Sequence, residues 1–139
     1  MAWMVQAERM TEPLARHVAI RTMLLPKDTN GHGTIFGGVI LSQIDLAGAI
    51  EAQRHTRHRV VTVAVREVEF HQPAYVGDIL TLYTSVERQG RTSITIRVSV
   101  EAQRAHDSEQ VVHITDAVVV YVAVDAKGNK VPLRGGAAP

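Results

Sequence analysis

The chain has 139 residues, a formal net charge of +1, 45% hydrophobic residues and no cysteine. This is long enough for one domain with its own core, and it excludes a disulfide framework, a thiol nucleophile and a zinc–thiolate site. Near-neutral charge and 4% aromatic residues give no electrostatic footprint and few stacking platforms for nucleic acid, while ordinary hydrophobicity excludes a wholly disordered chain.

Residues 1–16 are expected to be an N-terminal arm. They include Glu8 and Arg9 and lack the continuous apolar core of a secretory signal. The most apolar stretch, Ile35 to Ile50, is interrupted by Ser42, Gln43 and Asp45 and falls short of the ~20 residues of a bilayer span. A soluble, cytoplasmic protein with no membrane partner is therefore expected. A domain over residues 17–133 and a Gly/Ala-rich flexible tail over 134–139 complete the division.

His17 to Leu25 reads as a first strand, stopped by Pro26. Lys27 to Gly33 is a loop dense in turn formers. From about Phe36 to Arg54 the composition and length are helical. Arg59 to Phe70 is a Val-rich strand closed by Pro73. The Val76-Gly77-Asp78 turn leads into a strand from Ile79 to Glu87, and Gln89-Gly90-Arg91 signals a hairpin. Thr92 to Ala102 alternates cleanly, with Ile94, Ile96, Val98 and Val100 on one face. Val111 to Val124 is apolar on both faces, as a central strand should be. One long apolar helix followed by a mostly antiparallel sheet is an α+β pattern, and the simplest arrangement wraps the five strands around the helix.

On a helical wheel at 100° per residue, Gly38, Leu41, Ser42, Gly48 and Ala49 fall within roughly 60° of Asp45. The opposite side carries Val39, Ile40, Ile44, Leu46 and Ile50, which are expected to fill the concave sheet. The small-residue side leaves room for another group to approach the backbone. Asp45 is the only charged residue between Asp28 and Glu51. Mid-helix it has no capping role, and burying it is costly without partners. It is either a structural acid tied to a neighbouring element or a catalytic or ligand-contacting carboxylate. Gly31, Gly33, Gly37 and Gly38 surround the helix start, either as tight turns or as a site where free helical N–H groups meet negative charge. The spacing matches neither a dinucleotide nor a phosphate loop.

The segment Asp28-Thr29-Asn30-Gly31-His32-Gly33-Thr34-Ile35-Phe36-Gly37-Gly38, followed by Ser42-Gln43-Ile44-Asp45, resembles the hotdog-fold acyl-coenzyme A thioesterases, in particular bacterial enzymes related to the brain-type acyl-CoA hydrolases. Val61 to Val65, Pro73 to Asp78, Gly90 to Ser93 and Thr115 to Val118 extend the likeness over roughly residues 17–133. The resemblance implies an acyl-CoA hydrolase forming dimers with joined sheets and frequently hexamers, that is, trimers of dimers. It implies Asp45 as general base or nucleophile, Asn30 as the residue orienting water or thioester, and Gly38 as backbone donor to the thioester oxygen. His32 stands where close relatives often carry Asn, which leaves its role open.

Candidate substrate contacts are His32, Gly37, Ser42, Arg91, Thr92 and Ser93. Ser42 is expected to hydrogen-bond Asp45. Arg91 suits the phosphates of coenzyme A through its planar fork, ahead of Arg54 to Arg59, Lys130 and Arg134. No cofactor is expected, since coenzyme A belongs to the substrate, and no metal either. His55 and His58 lack a third ligand and read as a solvated helix end. Asp116, inside an apolar strand, reads as an acid bonded to a loop. Two other functions stand beside thioester hydrolysis: a hydratase or dehydratase on the same fold using His71, and a non-catalytic acyl-CoA-binding module.

Overall fold

A computed structural model describes residues 16–134; the expected arm up to residue 15 and the tail from residue 135 lie outside the described residues. The elements among the described residues are β1 (His17–Met23), α1 (Gly37–Gln53), β2 (Arg59–Phe70), β3 (Ile79–Gln89), β4 (Ser93–Gln103) and β5 (Val111–Val124), with a 3-10 turn at Pro26–Asp28. They form one sheet in the order β1-β3-β4-β5-β2, antiparallel at every pairing. The five-stranded α+β architecture expected from the sequence is thus observed. No helix among the described residues is long and apolar enough to cross a membrane.

The alternation of β4 reads directly into the core: Ile94, Ile96, Val98 and Val100 have no solvent exposure. Leu80 and Leu82 of β3, and Ala117, Val119, Tyr121 and Ala123 of β5, complete the inner face beneath α1. On β5 the outward Val118, Val120, Val122 and Val124 are buried as well, in keeping with its apolar reading on both faces.

The helix faces the sheet differently from the expectation. The buried stripe is Ile40, Ile44, Ala47, Gly48, Glu51 and Ala52, while Leu46 and Ile50 stand 55% and 47% exposed. The sheet supplies the bulk here, Tyr121 above all. A β-carbon on Gly48 would lie 2.9 Å from the Tyr121 ring and closer still to its hydroxyl. Close approach needs the smallest side chains at the crossing, so Ala47 and Gly48 face inward and the larger Leu46 and Ile50 face out. The small-residue face does admit another group, and that group is Tyr121.

Candidate active site

The loop before α1 is closed by its own hydrogen bonds. Gly31 and Gly33 have φ of +87° and +90°, so the tight-turn reading holds for both. The Asn30 main chain donates to Thr34 O, its Nδ2 donates to Thr34 Oγ1 at 2.6 Å, and its Oδ1 accepts from the His32 N–H at 2.9 Å. Asn30 therefore builds the loop with both ends of its amide, while the His32 side chain is exposed. Phe36 precedes the helix without a side-chain cap. The N–H groups of Gly37 and Gly38 find no acceptor among the described residues, and Gly38 faces open space. Beside them lies a cleft of about 370 Å³ bordered by Ile35, Gly37, Ile40 and Phe70 to Ala74.

Asp45 lies two turns further along the helix and is half-buried. Thr62 of β2 donates its hydroxyl to Asp45 Oδ1 at 2.6 Å. The Tyr121 hydroxyl donates to the Asp45 main-chain oxygen at 2.6 Å and lies 3.3 Å from Oδ1. Burial first, and then the neighbouring Asp45, push the Tyr121 phenol well above its usual range, so it remains a protonated donor. One carboxylate oxygen is thus pinned between β2 and β5, while Oδ2 accepts no hydrogen bond among the described residues. Such an arrangement holds a carboxylate in place and leaves one oxygen for a water or a carbonyl carbon.

Ser42 does not join this group. Its hydroxyl donates to Val39 O at 2.7 Å, back into its own helix, which corrects the expected bond to Asp45. Gly38 and Asp45 share one helix, so about 10 Å along the axis separates them within a single chain. Arg91, Thr92 and Ser93 form the β3–β4 turn, where Gly90 N–H donates to Ser93 O, Ala123 N–H to Thr92 O and Leu133 N–H to Arg91 O. This turn follows Gln89, whose side chain reaches His55 just beyond the C-terminal end of α1, whereas Asn30 and Gly38 stand at the N-terminal end. The predicted residues therefore fall into three groups along the helix axis, with Asp45 in the middle.

Two other expectations change. His55 and His58 are not a solvated end: His58 is buried, and His55 Nε2 lies 2.8 Å from Glu51 Oε2. Glu51, itself 2% exposed, also takes His17 Nδ1 at 3.0 Å and the Thr84 hydroxyl at 3.0 Å. Burial pushes its carboxyl up, but the bonds from His55 and Thr84 and the charges of His17 and Arg54 outweigh this and hold it below the usual range. The nearer partner of Asp116 is His113, on its own strand, at 2.8 Å, and His71 of the loop after β2 stands 3.7 Å from the same oxygen. Sequence reasoning missed Thr62 and Tyr121. Their signals were a lone hydroxyl in a Val-rich strand and the one aromatic residue of β5.

Residues 32–108 match the family model described as the thioesterase superfamily. A stretch of 118 residues is 40% identical to acyl-CoA thioester hydrolase YciA of Salmonella typhimurium, covering 84% of this chain and 89% of that one. The chain belongs to the thioesterase superfamily. Its fold is similar to the hexameric thioesterase y2039 of Yersinia pestis, with a TM-score of 0.80 and 39% identity over 86% of this chain and 96% of that one. It is also similar to Cj0915 of Campylobacter jejuni, described as a hexameric hotdog fold thioesterase, with a TM-score of 0.79 and 44% identity over 84% and 90% of the two chains. Within this thioesterase the matched range holds His32, Asp45 and Thr62, while Asn30 precedes it and Tyr121 lies beyond it.

Proposed function

We propose that this thioesterase hydrolyses acyl-CoA to a carboxylic acid and coenzyme A at a site shared by two copies of the chain. The observation that carries the proposal is Asp45: a mid-helix carboxylate with one oxygen pinned by Thr62 and Tyr121 and the other without a hydrogen bond among the described residues. The substrate class follows the relatives, which are named acyl-CoA thioester hydrolases.

In the scheme, Asp45 takes a proton from water as the water oxygen adds to the thioester carbonyl carbon. The carbonyl oxygen becomes an oxyanion and accepts from the Gly38 N–H at a helix N-terminus. Collapse expels the coenzyme A thiolate, which regains the proton, and leaves the carboxylic acid. Direct attack by Asp45 would instead form an anhydride that water then opens. Water is the only co-reactant in either scheme.

The separation between Gly38 and Asp45 within one chain is wider than a single carbonyl spans, and a second copy resolves it. Edge strand β2 exposes Val61, Val63 and Val65, and α1 exposes Leu41, Leu46 and Ile50. An unpaired edge with apolar residues beside it invites a like edge, and the similar structures are described as hexameric. A dimer, or a trimer of dimers, sets the helix start of one copy against Asp45 of the other.

Thiol release from a panel of acyl-CoA substrates tests the activity. Asp45→Asn is expected to lower kcat by about 10²–10⁴-fold in a folded oligomer. Wild-type turnover by that folded variant would make Asp45 structural. Refolding Asp45→Asn together with Gly38→Pro, which removes the donor, should restore about a quarter of the activity if sites are shared, because mixed pairs rebuild one intact site. No recovery would confine each site to one chain.

A further inference from the structure

Two irregularities in neighbouring strands gather imidazole and carboxylate side chains at one end of the sheet. Between β4 and β5 the pairing passes from Val100–Thr115 to Glu101–His113, so Ile114 is an extra residue on β5. Regular alternation would place His113 and Asp116, three residues apart, on opposite faces; the extra residue returns them to the same side. On the other flank of β5, β2 pairs Arg66 with Val118 and Glu69 with Asp116, so Glu67 and Val68 together stand against Ala117. Glu67 has φ of +53°, a left-handed conformation that is uncommon for a residue with a side chain. Bulges of this kind re-aim side chains. Past the second one, the His71 N–H donates to Ile114 O at 2.7 Å, which seats His71 beside the first.

The three side chains converge as a result. His113 Nε2 lies 2.8 Å from Asp116 Oδ2, and His71 Nε2 lies 3.7 Å from the same oxygen. The two imidazole rings stand 5.0 Å apart between centroids. All three ligand atoms fall within 4.8 Å of one another. Ligands about 2.1 Å from a tetrahedral ion stand about 3.4 Å apart, so the observed spacings bracket that value. Glu69 Oε2, 4.0 Å from His71 Nε2, adds a further oxygen within reach. Two imidazoles and a carboxylate form a donor set that suits zinc and its neighbours in the first transition row.

We propose that His71, His113 and Asp116 bind one divalent transition-metal ion of the zinc class per chain, with solvent completing the coordination. The ligands come from two segments, since His113 and Asp116 belong to β5 and His71 follows β2. An ion there staples the end of β2 to β5. His71 also borders the cleft beside the helix start, so the same ion fixes one wall of that cleft. This proposal is independent of the catalytic scheme, because none of its ligands has a part in it.

The test is equilibrium dialysis of the chelator-stripped full chain against zinc, with cobalt(II) as a visible-absorbance probe of coordination. One zinc per chain is expected for the wild type, with the visible bands of a low-symmetry nitrogen–oxygen cobalt site. His113→Ala and Asp116→Asn should each weaken zinc binding about tenfold or more. His106→Ala, an exposed histidine outside the cluster, should leave binding unchanged. Zinc should also raise Tm in the wild type and not in His113→Ala. Because these side chains lie at the surface, circular dichroism should report folded variants. Equal zinc affinity in wild type and His113→Ala, binding lost equally in His106→Ala, or no zinc uptake at all would overturn the proposal and leave only an Asp–His hydrogen bond.

Discussion

The Tyr121 hydroxyl donates to the main-chain oxygen of Asp45 at 2.6 Å, and it gets there because Gly48 offers no β-carbon in its path. The strand that carries the core aromatic and the helix that carries the acid are therefore locked at one point. The same hydroxyl stands 3.3 Å from the carboxylate, so packing and site geometry depend on each other.

Gly48→Ala tests that lock. The added β-carbon would overlap the Tyr121 hydroxyl and approach ring carbons at 2.9 Å, and Tyr121 is fully buried with no room to retreat. A loss of about 1–3 kcal/mol in urea unfolding is expected, with a fall in turnover as Asp45 shifts. Unchanged stability would mean that the helix slides freely over β5.

Tyr121→Phe and Thr62→Val separate positioning from support. Tyr121→Phe removes a buried hydrogen bond and should cost about 1 kcal/mol along with some activity. Thr62 is exposed at the sheet edge, so Thr62→Val should leave Tm nearly unchanged while lowering kcat about tenfold through a less constrained Asp45. Rescue by Thr62→Ser, which restores the hydroxyl, distinguishes positioning from bulk. Full activity in Thr62→Val would show that Tyr121 alone orients the acid.

Glu51 predicts a pH-dependent stability. Its carboxyl lies below the ordinary range when folded, so the unfolded chain binds that proton more readily. The stabilisation is present above the unfolded pKa and is lost as pH falls through the folded one. Glu51→Gln should therefore cost about 1.5–3 kcal/mol near neutral pH, and the difference from wild type should shrink at acid pH. Denaturant melts at the two pH values check this; a gap that widens on acidification would reverse the sign.

Arg91→Ala addresses the nucleotide end of the substrate. Arg91 is exposed in the turn after β3 and makes no ion pair among the described residues. If it grips phosphate, KM for acyl-CoA should rise about 3- to 10-fold with kcat nearly constant, and the salt dependence of KM should flatten. Hydrolysis of an acyl-pantetheine, which lacks the nucleotide, should not change. Equal losses on both substrates would assign Arg91 to the hairpin.

Local pattern alone determined the elements. Strands β2 and β5 begin and end where the Val-rich runs do, β4 buries the four residues its alternation selects, and Asp45 stands out because a lone acid in an apolar helix needs a reason. The loop-to-helix motif was legible for the same reason: its residues are neighbours in the chain. Only the tertiary structure decided which side of α1 is buried, because that depends on where the sheet places Tyr121. It alone brought His17 and Thr84 to Glu51, and Thr62 and Tyr121 to Asp45, from distant strands. It alone set His71, His113 and Asp116 together, through bulges that leave no periodic trace. One extra residue in a strand turns each later side chain to the other face, and that shift is set by pairing between strands rather than by either strand's sequence.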